Sequence, residues 1–278
     1  MKTRIWYQSF LVADDVPAYM LALRKRIEDL RAHDTEVVMH GFIPGTFAEA
    51  YPGADLPYKF LFDIHGLQWA AAALEAERQG FDAFVIAPVS SPMVREIRTL
   101  VDIPVIGYGD AAFRMAGLYG RKFGFVLFNI DRSDYWPERM RDWGLGDSFV
   151  GLRPSDVSFA EVQGAFSDPA VKQSVIERVI AACERMVVEL GADVIIPGEM
   201  PLNLLLSSSG ICRAADATIL DGLGIALKMA ETAVELRRKS GMWQSRRGYF
   251  HAAPDKERVR QVLRFYGLDG LGERIPTI

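Results

Sequence analysis

Up to about residue 240, short apolar runs alternate with longer stretches of helical period. Residues 4–7 read as a strand, and 19–32 follow with Leu21, Leu23, Ile27 and Leu30 at roughly helical spacing. Further strands are expected at 37–39, 84–87, 104–107, 123–128, 194–196 and 218–220, and further helices at 66–80, 110–120, 171–190 and 222–239. Two of these helices run into Gly80 and Gly191, a common way to stop a helix. Strands alternating with helices at this spacing predict parallel sheets covered by helices, an α/β fold.

The pattern also repeats. Gly80-Phe-Asp-Ala-Phe-Val-Ile-Ala-Pro88 resembles Gly191-Ala-Asp-Val-Ile-Ile-Pro-Gly-Glu199, and the strand and helix from Pro104 to Ala116 resemble those from Ala217 to Ala230. A repeat this long predicts two copies of one α/β unit. We therefore expect two pseudo-symmetric doubly wound parallel-sheet domains, 1–108 plus 221–278 and 109–220, with the site in the cleft between them. Ligands of such sheets bind beyond the carboxyl ends of the strands. That selects the loops 8–15, 88–93, 107–110, 129–135 and 197–203.

Composition narrows the function. The chain has 278 residues and a net charge of -4, with no basic block, so no nucleic-acid partner is expected. Arg237-Arg238-Lys239 and Arg246-Arg247 read as a solvated helix end and a loop feature. Cys183 and Cys212 form no CxxC pair, and His33, His40, His65 and His251 are scattered, so neither a disulfide framework nor a metal site is expected. Without an apolar leader or an apolar run of about 18 residues, no membrane span is expected and the cytoplasm is the default location. Phosphate-binding glycine fingerprints and the Gly-x-Ser-x-Gly elbow are absent from the sequence, which argues against nucleotide chemistry and a hydrolase triad.

The strand-end segments carry a resemblance. Residues 80–87, Ser91-Pro92, the stretch from Arg98 to Gly107, Asp110-Ala-Ala-Phe-Arg-Met-Ala116, residues 191–198 and Leu220-Asp-Gly222 resemble the aspartate/glutamate racemase superfamily, especially its hydantoin racemase branch. The resemblance covers about residues 4–240, and residues from Gly241 onward are not placed by it. It implies a cofactor-independent enzyme acting on a small carboxylate or cyclic amide, as a homo-oligomer. It also implies two catalytic thiols, one for each face of the substrate's α-carbon. Counting through the matched blocks, those positions fall on Pro88 and Glu199. Proline has no acid–base side chain and no N–H, so both catalytic cysteines are expected to be lacking. Cys183, inside a helix, reads as a small buried hydrophobe.

Glu199 is then the candidate catalytic group: a carboxylate in a partly desolvated cleft suits general acid–base work near neutral pH. Ser90 and Ser91 offer hydroxyls and N–H groups where the family binds a carboxylate or carbonyl, and such donors stabilise enolate-like charge. Gln8, Ser9, Tyr108, Asn129 and Met200 complete the expected substrate-binding set. Asn203 and the Ser207–Ser209 run are weaker candidates, and His40 and His65 read as structural unless they reach the cleft. A single acid/base fits an isomerase, decarboxylase or hydrolase type of reaction. The alternatives are a racemase with a non-cysteine second acid/base and a non-catalytic small-acid binder.

Overall fold

The computed structural model describes residues 2–128 and 133–278. The chain divides into two compact units. One comprises Met1–Asp15, Leu30–Tyr108 and Ala226–Ile278; the other comprises Val16–Asp29 and Gly109–Ile225. Helix α1 (Pro17–Leu30) lies almost wholly in the second.

In the first unit β1 (Thr3–Gln8), β2 (Thr35–His40), β3 (Ala83–Ile86) and β4 (Val105–Gly107) form a parallel sheet in the order β2-β1-β3-β4. Helix α2 (Lys59–Arg78) carries the chain from β2 to β3, and α3 (Val94–Leu100) from β3 to β4. All four side chains of β3 are fully buried, as expected of a strand covered on both faces. Trp6, Tyr7, Phe42, Trp69, Ala72 and Ala73 fill the surrounding core.

The second unit starts with α4 (Tyr108–Tyr119), whose first residue still belongs to the first unit. Then β5 (Phe123–Leu127), α5 (Tyr135–Asp142), β6 (Phe149–Pro154), α6 (Phe159–Gly164), α7 (Pro169–Leu190), β7 (Val194–Pro197), α8 (Met200–Ser208), β8 (Arg213–Ala214) and β9 (Ala217–Ile219) follow. The sheet order is β6-β5-β7-β9-β8, parallel except for the β8–β9 hairpin. Its core packs Val175, Val179, Cys183 and Met186 of α7 with Leu202, Leu205 and Leu206 of α8. On α4, Phe113 lies within ring contact of Phe123, Phe125 and Trp136. Helix α9 (Gly222–Ser240) returns the chain to the first unit.

Both sheets are parallel-dominated α/β layers, as the sequence pattern predicts, and their strand orders correspond: β2-β1-β3-β4 beside β6-β5-β7-β9. Several details differ from the expectation. Residues 200–203, read as part of a loop, open α8, and no loop separates β4 from α4. The basic groups at the end of α9 and beyond it are not simply solvated. Arg238 bonds Thr3 Oγ1 and Asp82, Arg237 lies 3.7 Å over the Trp243 ring, and Arg246 bonds Arg98, Val101 and Asp102. The segment beyond Gly241, unplaced from sequence, folds along the first unit through α10 (Lys256–Phe265) and a short 3₁₀ turn (Gly272–Arg274). It ends beside β2, where Ile278 N–H donates to the Met39 carbonyl.

Candidate active site

In each sheet the chain leaves in opposite directions from two adjacent strands, β1 and β3 in one, β5 and β7 in the other. Crevices beyond such switch points are where doubly wound sheets take ligands. The two ladders end alike. Gln8 pairs with Ile86, after which Ala87 N–H donates to the Gln8 carbonyl at 3.1 Å. Val126 pairs with Pro197, after which Gly198 N–H donates to the Val126 carbonyl at 2.7 Å. The next residues are Pro88 and Glu199, so backbone register independently gives the equivalence that sequence counting gives.

Glu199 caps α8 in an extended conformation, φ -129° and ψ 145°, with Pro201 in the first turn. It is half-buried. Both carboxylate oxygens accept from the Phe128 N–H at 3.2 Å, so the group bridges the ends of β7 and β5 across the switch point. The N–H shared by both oxygens orients the carboxylate. The first turn of α8 is anchored from behind. Asn203 N–H donates to the Glu199 carbonyl, and the buried Asn203 amide donates to Asp221 Oδ1 at 3.0 Å and accepts from Gly222 N–H at 2.8 Å. Asp221 in turn takes Arg26 at 2.7 Å. Asn203 is thus a structural tie beside Glu199, and Met200 is buried in the same turn. Asn129 lies outside the described residues.

In the first unit, loop 88–93 is buried and unusual. Ser91 and Met93 adopt left-handed conformations, φ 43° and 51°, without being glycine. Such conformations persist where the surroundings enforce them, and they cluster at functional sites. The loop is wedged on two sides. Met93 lies against Gly66 of α2, where a Cβ would stand 2.6 Å from its sulfur, and Ser91 lies against Gly107 of β4, where a Cβ would stand 2.5 Å from its own Cβ. Ser91 N–H donates to the Pro88 carbonyl. Ser90 is 4 % exposed, and among the described residues no hydrogen bond joins the N–H of Val89 or Ser90. Two adjacent buried donors at a strand end suit a carbonyl or carboxylate oxygen.

The remaining expected residues are occupied otherwise. Gln8 is fully buried; its oxygen accepts from Trp6 Nε1 and its nitrogen donates to the Ser9 and Gly41 carbonyls. The Ser9 hydroxyl accepts from Leu11 N–H. Tyr108 is fully buried at the start of α4. His40 stacks on Trp6 at 3.3 Å, and burial pushes its pKa down to about 4, which makes it a neutral packing residue at pH 7. His65 pairs with Asp55 at 2.9 Å. Burial pushes the Cys183 thiol up to about 12, whereas Cys212 is exposed. The Ser208 and Ser209 hydroxyls donate to carbonyls of their own helix.

Sequence reasoning missed the backbone donors of Phe128 and Val89. Strand-end position was the only signal for them, since an N–H leaves no mark on residue identity. Among the described residues no group of three or more His, Cys, Asp and Glu is gathered as a metal ion requires, and no helix is long and apolar enough to cross a membrane.

Comparison with known proteins gives the family. The chain is 23% identical over 200 residues to a hydantoin racemase of Pseudomonas sp. (strain NS671), covering 69% of this chain and 72% of the relative. It is 27% identical over 158 residues to a hydantoin racemase of Rhizobium meliloti, covering 56% and 62%. Its fold matches allantoin racemase from Klebsiella pneumoniae with a TM-score of 0.73, at 22% identity over 92% of this chain and 95% of that one. The family model for Asp/Glu/hydantoin racemases matches residues 61–230, more than half the chain. The protein is therefore an enzyme of the Asp/Glu/hydantoin racemase family.

Proposed function

We propose that the enzyme moves a proton at the carbon next to a carbonyl in a hydantoin- or allantoin-like ring or a related small carboxylate, with Glu199 as its single general acid/base. The observation that carries this reading is the Glu199 carboxylate, half-buried and oriented by the Phe128 N–H at the switch point of its sheet. The named relatives support the substrate class, being hydantoin and allantoin racemases.

The C5 hydrogen of such a ring is acidified by the adjacent carbonyl, so its removal needs a base and stabilisation of the resulting enolate oxygen. Glu199 supplies the base. The N–H groups of Val89 and Ser90 would be satisfied by a carbonyl or carboxylate acceptor, and we assign them to substrate binding. Charge formed on oxygen and a proton held on the carboxyl group complete the step without a cofactor. Pro88 brings no proton carrier to the station equivalent to Glu199, which suits one-sided transfer.

The test is hydrogen–deuterium exchange at C5 of allantoin and of a 5-alkyl hydantoin in D2O, followed by NMR with optical rotation recorded in parallel. Wild-type enzyme is expected to exchange the proton faster than it racemises the ring. Glu199→Gln should lose about 10²- to 10⁴-fold in exchange, the usual contribution of a positioned acid/base. A Gln variant exchanging at the wild-type rate, or a wild type that binds the rings without exchanging them, would refute the assignment.

A further inference from the structure

We propose that Arg246, on the segment that follows α9, is a positioning residue that holds loop 88–93 in its binding conformation by clamping the far end of α3. The proposal rests on the assignment of the Val89 and Ser90 donors to substrate.

Helix α3 has seven residues, so it spans about 10 Å. A helix this short has little stability of its own. Its N-terminus carries the loop directly, with Met93 at the cap position and no side-chain cap bond. The loop side is held by the packing of Met93 and Ser91 rather than by a side-chain cap. The other end is fixed, and largely by residues beyond α9. Arg246 Nη1 donates to the Arg98 carbonyl at 2.6 Å, and its Nη2 donates to the Val101 carbonyl at 2.8 Å and Asp102 Oδ1 at 2.7 Å. Gln244 Nε2 donates to Val101 O at 2.7 Å, and Arg237 Nη1 to Asp102 O at 2.8 Å. The last carbonyls of a helix lack partners within it and carry partial negative charge, so a guanidinium is well matched to them in geometry and in sign.

The same segment braces α2, the helix against which Met93 rests. Lys256 pairs with Glu77 at 2.8 Å and with Asp102 at 3.3 Å, which links α2 to the end of α3. The turn Gly272–Arg274 packs on α2, and Glu273 reaches Arg78 at 3.7 Å. Both helices that flank the loop are thus held from outside. Left-handed Ser91 and Met93 need such support, because relaxation of either would turn the Val89 and Ser90 amides.

The experiment uses the full chain with Arg246→Ala and Arg246→Lys, and Arg260→Ala as a control, since among the described residues Arg260 pairs only with Glu257 on its own helix. Amide exchange by mass spectrometry should show faster exchange over residues 87–100 in Arg246→Ala, with Met200–Ser208 unchanged. For C5 exchange of the 5-alkyl hydantoin, KM should rise about tenfold, with an unchanged pH profile and partial rescue in Arg246→Lys. Unchanged amide exchange over 87–100 in Arg246→Ala would overturn the clamp, as would unchanged KM in a variant whose loop has loosened. If no variant and no wild type exchanges the ring, the functional reading fails, while amide exchange still judges whether Arg246 holds the loop.

Discussion

Gly107→Ala puts the tightest contact of loop 88–93 under direct test. A Cβ at position 107 would stand 2.5 Å from Ser91 Cβ and closer still to its Oγ. Ordinary contact between such atoms needs about 3.5 Å, so Ser91 or β4 must move by about 1 Å. Ser91 is fully buried and β4 is hydrogen-bonded to β3, so neither yields freely. Overpacking of this kind costs about 1–3 kcal/mol in stability. A displacement of about 1 Å at a binding loop lowers turnover by about 10²-fold. The partner change is Ser91→Gly. It removes both clashing atoms and suits the left-handed φ of 43°, which costs a residue with a side chain about 1–2 kcal/mol. In a denaturation cycle the double variant should recover most of the loss, with a coupling of about 1–3 kcal/mol. Equal cost of Gly107→Ala in the wild-type and Ser91→Gly backgrounds would refute the contact. A stable Gly107→Ala with unaltered turnover would refute the role of the loop.

Two further outcomes follow from buried groups. His40 is neutral in the fold, with its pKa pushed down to about 4, whereas the unfolded chain takes up that proton near pH 6.5. Its stabilising share is therefore complete above pH 6.5 and is lost as the pH falls from there to about 4, by at most about 3 kcal/mol. Chemical denaturation at steps between pH 7 and 4.5 should show a shallower fall for His40→Gln than for wild type, and parallel curves would count against it. Thiol titration should find Cys212 reactive in the folded protein and Cys183 only after denaturation, since Cys183 is buried with its thiol pushed up to about 12. Two equally fast thiols in the native state would contradict that packing.

Elements with a strong apolar period were legible in the sequence. Residues 171–190 and 194–196 were placed within two residues of α7 and β7 because their buried positions recur at the period of each element. Helix α2 starts seven residues before the expected Gly66. Its first two turns expose Phe60 and Ile64, so apolar residues there do not mark a buried face. Strand β6 was missed because it lies at the sheet edge, half-buried on both faces. Helix α10 was missed because it buries no side chain and is tied to the unit by Lys256. The strand-end position of Glu199 is legible from the apolar run that precedes it. Gln8 was misleading for the same reason: a polar residue at a strand end looks like a ligand group, and only coordinates reveal that its amide is committed to Trp6 and Gly41.

The two units place unlike groups at equivalent stations, and the difference bears on mechanism. A proline two residues beyond β3 has no ionisable side chain and no N–H, so whatever the first sheet contributes must come from later residues. The donors there are the Val89 and Ser90 amides, which can hold negative charge on an oxygen but do not deliver a proton to carbon at neutral pH. Glu199, two residues beyond β7, can do the second and not the first. On the proposed reading Glu199 is the proton carrier, so the proton returns to the face it left, and deuterium enters the ring while its handedness persists.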